Sequence, residues 1–405
     1  LTTLLCLATI FVVAVSGQTF PSLLTRLGGS PVQQGLLLAS LFLFFPASAA
    51  GSGYLADRLG KRPVVAAGIA VGALPFALSA LLPGLWTRIL AVLLFGAGAG
   101  AVESQSSALL SDLHPRRERS VLNLSQTLFS AGAAGGPFLI AVVGTLGGGI
   151  SLPVLLWAVA GINGLLCLGF LLPARPLLRA SPAGPAPGQP QAELRTVRAL
   201  LARPLLRWLL AAIFLYAAAE MGTAGWLAKY GQLYLGLSAE LAPVCISLYW
   251  GGVGVSRVLV GLLSARVGDR ALLLASLGLS AAAQLASFLL HTPAAALGAI
   301  ALLGFAMGCV WPTLVAMAGA QFRSQSGTAI GLMVASGALA IPVVQLLMGL
   351  ISQPRLLGLR GSLLCLAVLP LVDLLVVARL RPGKPEVESA AEPGLDARPQ
   401  GPQHG

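Results

Sequence analysis

Two glutamates interrupt apolar runs in which a carboxylate has no ordinary place. Glu220 lies in Ala219-Glu220-Met221-Gly222-Thr223-Ala224-Gly225-Trp226, and Glu103 is followed by Ser104, Gln105, Ser106 and Ser107. A charge at the middle of a membrane helix costs on the order of 2.5–3.5 kcal/mol, so an ionisable group kept there is expected to face an interior cavity. A carboxyl in that position can take up and release a proton, which is the chemistry of ion coupling. Gly222 and Gly225 can open the helix beside Glu220 and offer backbone groups to a ligand. The plainer alternative for Glu220 is a neutral side chain hydrogen-bonded to a neighbouring helix. The polar cluster at Glu103 either lines the cavity or joins helices by hydrogen bonds.

Gln18 and Trp226 could orient and stack a polar ring, although a Trp near a helix end also serves as an interfacial anchor. Gln126 adds another amide, while Trp311 and Tyr249 suit core packing better than ring stacking. Arg257 reads as a structural ion pair or as a chain snorkelling to the membrane surface, and Lys229 and Asp373 as snorkelling groups near helix ends. Cys6, Cys167, Cys245, Cys309 and Cys365 are scattered through apolar runs without paired spacing, and His114, His291 and His404 are equally dispersed. The reading is therefore no disulfide framework, no metal site and no cofactor. Neither a G-x-x-x-x-G-K-[ST] loop nor a G-x-G-x-x-G turn occurs, so nucleotide hydrolysis is not expected to supply energy.

The elements that must position these residues follow from composition. The 405 residues are 57% hydrophobic and 9% charged, with a mean hydropathy of +0.88. A soluble domain needs about a quarter charged residues to cover its surface, so the solvent must be lipid. The sequence predicts twelve helical stretches near the bilayer length at 1–24, 35–56, 63–83, 86–110, 121–146, 151–173, 206–234, 241–263, 271–291, 293–318, 327–352 and 358–380. No basic segment precedes the first stretch, which favours a membrane helix over a cleaved signal. Residues 174–205, with Ser181-Pro182-Ala183-Gly184-Pro185-Ala186-Pro187, read as a cytoplasmic linker of about thirty residues reaching roughly 30 Å, and 381–405 as a disordered cytoplasmic tail.

A formal net charge of +12 would suggest a nucleic-acid partner in a soluble protein. Here nineteen of the 25 basic residues fall in loops on the side of both chain ends, four on the other side and two within helices. That asymmetry sets topology, places both termini in the cytoplasm of a cell inner or plasma membrane, and removes nucleic acid as a partner.

The chain also repeats itself. At an offset of 208, Gly53-Tyr54-Leu55-Ala56-Asp57-Arg58-Leu59-Gly60-Lys61-Arg62 falls on Gly261-Leu262-Leu263-Ser264-Ala265-Arg266-Val267-Gly268-Asp269-Arg270, and Gly17, Gly28 and Gly96 meet Gly225, Gly236 and Gly304. At 205, Gly132, Pro137 and Gly144 meet Gly337, Pro342 and Gly349. Residues 1–173 and 206–380 are then parallel six-helix repeats, with a binding site expected at their interface near mid-membrane.

The run from Gly53 to Arg62 resembles the helix 2–3 loop signature of the major facilitator superfamily, and the likeness extends over all twelve stretches. It implies an all-α membrane protein of two pseudo-symmetric six-helix bundles that moves a solute by alternating access. Gly98-Ala99-Gly100-Ala101-Val102-Glu103, Leu122-Asn123-Leu124-Ser125-Gln126 with Gly136-Pro137, and Glu220 before Gly225-Trp226-Leu227 more loosely resemble its fucose-permease and sodium–glucose-cotransporter-like branch. Ser107 stands where that branch has Asn, and Gln126 where a His often follows. The resemblance also implies a cytoplasmic gate made by Gly53, Asp57, Arg58, Gly60, Lys61, Arg62, Arg266 and Arg270. Asp57 would close it against the start of the eleventh stretch, where unpaired amides and the helix dipole favour a carboxylate.

Together these features predict a secondary transporter, not an enzyme. Gln18, Glu103, Gln126, Glu220, Trp226 and Trp311 are the expected substrate contacts, and Glu220 and Glu103 the coupling groups for a proton or sodium ion. The polar set favours uptake of a small polar solute such as a sugar, by a monomer in the lipid bilayer. Proton-coupled export of drugs or metabolites is the alternative. A receptor that no longer transports is the alternative of another class.

Overall fold

The computed structural model describes residues 1–82, 84–146, 150–172, 197–263 and 267–380. Most of the expected linker, Arg266 and the tail 381–405 lie outside them. The described residues are helical, with no strand among them. Twelve spans run in chain order: Thr2–Leu27, Pro31–Leu59, Lys61–Leu81, Leu85–Leu113, Glu118–Leu146, Leu152–Leu171, then residues 204–234, Val244–Leu263, Asp269–Leu289, Pro293–Gln321, Ser326–Ile351 and Gly358–Arg379. Among the described residues eleven helices are long and apolar enough to cross a membrane, and the apolar stretch Val244–Leu259 belongs to span 8.

Local chemistry fixes several boundaries. Span 2 begins at a capping box in which the Gln33 N–H donates to the Ser30 hydroxyl and the Ser30 N–H to the Gln33 side chain, with Pro31 at the first helical position. It therefore starts four residues before the expected 35. Several hydroxyls within the spans are satisfied without leaving their helix: Thr9, Thr19, Ser22, Ser40 and Ser287 each donate to the carbonyl four residues back. Spans 2, 7, 10 and 12 are interrupted, at 41–44, 225–226, 308–309 and 366–367.

The internal repeat reappears as matched packing. In the first half, a Cβ added at Gly96 would meet the Leu41 carbonyl oxygen and one at Gly100 the Phe45 carbonyl oxygen. In the second half, Gly304 would meet Tyr249 and Gly308 would meet Val253 in the same way. Each of these four pairs is displaced by 208 residues from its counterpart, so spans 2 and 4 and spans 8 and 10 cross with their backbones in direct contact. Small residues permit this approach, which is how helices gain contact energy where lipid removes the hydrophobic drive. Gly304→Val is accordingly expected to prevent recovery of monodisperse protein from detergent, because backbone cannot yield as a flexible side chain would. Gly298→Val on the same span meets nothing within 4 Å and should behave as wild type in size-exclusion chromatography.

The halves meet on the face away from the chain ends. Thr25 Oγ1 donates to the Ala239 carbonyl at 3.1 Å, Arg26 lies 3.5 Å from Glu240, and Gly35 packs on the backbone of Gln345 and Gly349. Gly144 and Gly349, the repeat-related glycines, both sit at these crossings, against Glu240 and against Pro31 and Gly35 respectively. Contacts between halves continue inward through Phe129 and Trp250, 6.0 Å apart, to Arg257. On the opposite face Asp57 and Arg58 are exposed. These contacts between the halves thus lie from the face away from the chain ends to the middle of the spans.

Candidate functional site

Glu220 occupies the expected place in span 7, just before the interruption at Gly225-Trp226. It is 4% exposed, and its carboxylate accepts the Tyr216 hydroxyl at 2.5 Å, one turn earlier on the same helix. The Tyr249 hydroxyl of span 8 lies 3.5 Å from the Glu220 backbone carbonyl and 3.1 Å from the Met307 sulfur. Trp311 of span 10 leans on the Tyr216 ring at 6.3 Å. Glu220 therefore has one hydroxyl donor and an aromatic wall, an arrangement that can hold a carboxyl in either protonation state.

The opened backbone beside Glu220 is not left for a ligand. Gln345 of span 11 donates to the Met221 carbonyl at 2.6 Å and accepts the Trp226 indole N–H at 2.8 Å, filling the space that a side chain at Gly225 would need. Trp226 is 1% exposed, so its indole is held by protein and does not anchor at an interface. Gln18, its repeat counterpart, is buried at 6% exposure with Oε1 unpartnered. Trp226 and Gln18 thus differ: one is pinned, and the other has a free acceptor.

Successive residues on a helix are 100° apart, and span 4 uses this to divide its polar cluster. Gln105 donates to Ser52 of span 2 at 3.0 Å and so joins helices within the first half. Glu103, on another face, is half-buried among Ile10, Val13, Val102 and Phe129, with the Gln126 side chain nearby. Arg257 reaches this place from the other half. It donates to Ser130 Oγ at 2.8 Å and to the Gln126 carbonyl at 3.3 Å, leaving Nε unpartnered.

Two expectations need correction. Arg257 neither snorkels nor forms an ion pair: among the described residues no carboxylate lies within 4.0 Å, and the guanidinium crosses to span 5 of the opposite half. Asp373 is 0% exposed with both carboxylate oxygens unpartnered, because the residue faces inward from a helix that continues to Arg379. Being near a helix end did not bring it to water.

The loop signature ties elements within a half. Lys61 pairs with Asp112 at 2.6 Å, Arg62 donates to the Gly169 and Leu172 carbonyls at the end of span 6, and Arg58 stacks over Tyr54 at 4.3 Å. Arg270 caps the Ala378 carbonyl at the end of span 12. Gly60 makes the turn between spans 2 and 3 with φ of 86°, whereas Gly53 lies inside the helix Phe45–Leu59. Asp57 is exposed and carries no hydrogen bond or ion pair among the described residues. Arg266 lies outside the described residues.

The family model described as Major Facilitator Superfamily matches residues 2–344 and 244–401. The chain belongs to the Major Facilitator Superfamily. The superfamily protein is similar in structure to the nucleoside transporter NupG, with TM-score 0.77 and 13% identity over 94% of this chain and 100% of that one. A bacterial homologue of the human lysosomal transporter Spinster, in an inward-facing and unoccupied conformation, gives 0.73 and 15% over 93% and 95%. FucP, the fucose:proton symporter of E. coli, gives 0.64 and 20% over 94% and 98%. Tetracycline resistance protein, class C, from Escherichia coli is 34% identical over 140 residues, so the match spans about a third of each chain. These findings establish an integral, multi-pass membrane transporter of a small solute with the two-bundle superfamily fold, and not an enzyme.

Sequence reasoning did not find three members of the site in this superfamily transporter. Tyr216 and Gln345 carried no signal beyond residue type, and Arg257 was visible only as a charge in an apolar run. A fourth feature, the outer pair Arg26 and Glu240, contributes little by itself. The Glu240 carboxyl is held below the ordinary range first by its own backbone N–H and next by the Ser238 hydroxyl, with Arg26 a smaller influence. A lowered value means that the pair's contribution is complete above the ordinary carboxylate range and disappears only as pH falls through the lowered value. Glu240→Gln should therefore change flux by less than about threefold at neutral pH, since this partly exposed pair is long at 3.5 Å and Arg26 also donates to the Ile150 carbonyl. Transport assays at several salt concentrations would check this, and a strong salt dependence would contradict it.

Proposed function

We propose that this transporter takes up a small polar solute, of which a sugar is the leading example, by ion-coupled alternating access. The observation that carries the reading is Glu220, buried at mid-span, bonded to Tyr216, with Trp311 against the Tyr216 ring. Gln18, Glu103, Gln126, Glu220, Trp226 and Trp311 form or support the solute site, with Trp226 acting through Gln345. Glu220 and Glu103 carry the coupling ion, a proton or sodium. The gate of Gly53, Asp57, Arg58, Gly60, Lys61, Arg62, Arg266 and Arg270 closes when the halves come together on the cytoplasmic side. Residues 1–173 and 206–380 are the moving bundles, 174–205 their linker and 381–405 a tail, with both termini cytoplasmic in an inner or plasma membrane. The working unit is a monomer.

The test is uptake into proteoliposomes under an imposed pH or sodium gradient, with panels of sugars, nucleosides and amphipathic drugs. Gradient-dependent accumulation of a polar solute supports the proposal. Extrusion of an amphipathic drug would replace it with the exporter reading, which the tetracycline resistance segment favours. Binding without flux of any kind would indicate a receptor.

A further inference from the structure

We propose that Arg257 is the residue through which the carboxyls of Glu103 and Glu220 control the halves, drawn across the interface by Glu103 and back into its own half by Glu220. The inference rests on the reading of Glu220 as a coupling group. Arg257 belongs to span 8 in the second half, but both of its hydrogen bonds, to Ser130 Oγ and the Gln126 carbonyl, are made to span 5 in the first. Gly254, one turn away, also faces Ser130, where an added Cβ would stand in ordinary contact 3.4 Å from its side chain. The guanidinium is thus seated where spans 5 and 8 of the two halves meet.

Its electrostatic surroundings are unequal in a useful way. From span 4 of the first half comes Glu103, near Gln126, whose backbone carbonyl Arg257 uses. From span 7 of the second half come Glu220 and Tyr216, and from span 8 itself Tyr249. Span 5 supplies only the neutral Gln126 and Ser130. An ionised Glu103 therefore attracts Arg257 towards the opposite half and strengthens the contact between halves described above. An ionised Glu220 attracts it towards its own half and weakens that contact. Neutralising one carboxyl or the other biases the molecule in opposite directions, and both effects pass through one cation.

Hydrogen exchange of the full chain in nanodiscs tests this without requiring a known solute. The amides of residues 26–34 and 236–243 report the outer face, because they exchange fastest when it opens. Glu103→Gln should raise their exchange about threefold, and Glu220→Gln should lower it by a similar factor. Both shifts should fall below about 1.5-fold in an Arg257→Gln background and keep their signs in Arg257→Lys. Shifts of the same sign in the two single variants would overturn the proposal even if Arg257→Gln does not fold. Persistence of both shifts without the guanidinium would also overturn it. Accumulation assays keep the two readings apart: opposite exchange shifts with normal accumulation in Glu220→Gln would reject coupling at Glu220 while retaining the role of Arg257.

Discussion

Replacing Glu220 by glutamine should abolish accumulation of the solute against its gradient while leaving exchange of bound solute intact. Glutamine keeps the shape of the side chain and an oxygen able to accept the Tyr216 hydroxyl, so the Tyr216–Trp311 wall stays in place. What is lost is a group that gains and loses a proton. Net uphill movement needs that group to change charge in each cycle, whereas counterflow needs only binding and reorientation. The accumulation ratio should fall to about one at all pH values, with counterflow within about threefold of wild type. Unchanged gradient-driven accumulation at several pH values would remove Glu220 from coupling. Loss of counterflow as well would mean that the carboxylate itself holds the solute.

A leucine at Gly349 is expected to stop the cycle by a different route. Gly349 faces the other half, where an added Cβ would stand 2.8 Å from the Pro31 carbonyl and 2.9 Å from the Gly35 Cα. Both are backbone atoms and cannot swing aside, while the packing within each half is untouched. Overpacking of this kind costs about 1–3 kcal/mol, which shifts a balanced pair of conformations by about five- to 150-fold. Gly349→Leu should hold the outer face apart, give folded protein with normal retention on size exclusion, and reduce flux by about fivefold or more. Gly144→Leu, at the equivalent crossing, meets the Glu240 and Arg26 side chains, which can move, and should cost less. Flux near the wild-type level in Gly349→Leu would show that this crossing is not a closing surface.

The contrast between those glycines shows what sequence could and could not supply. Twelve spans were legible because length and apolarity are local properties, and most ends fall within a few residues of expectation. Gly144 and Gly349 were visible as a matched pair, but nothing in one chain segment says that the match lies between halves. The start of span 2 was available in Ser30-Pro31-Val32-Gln33, a capping signal that apolarity alone passed over. Glu220 and Glu103 stood out because a carboxyl in a lipid-length run is rare. Their neighbours did not, since the bond from Arg257 to Ser130 joins residues 127 apart in sequence. Asp373 was misjudged for a related reason: distance from a helix end is a one-dimensional measure, and burial depends on which face meets spans 7 and 9.

The glycine contacts inside each half have a mechanical consequence. Where the carbonyls of Leu41 and Phe45, or of Tyr249 and Val253, rest against a neighbouring backbone, no layer of side chains is left to shear or repack. Each bundle should turn as one block, so distance changes between probe pairs placed anywhere across the two bundles would fit a single rotation axis and a single angle.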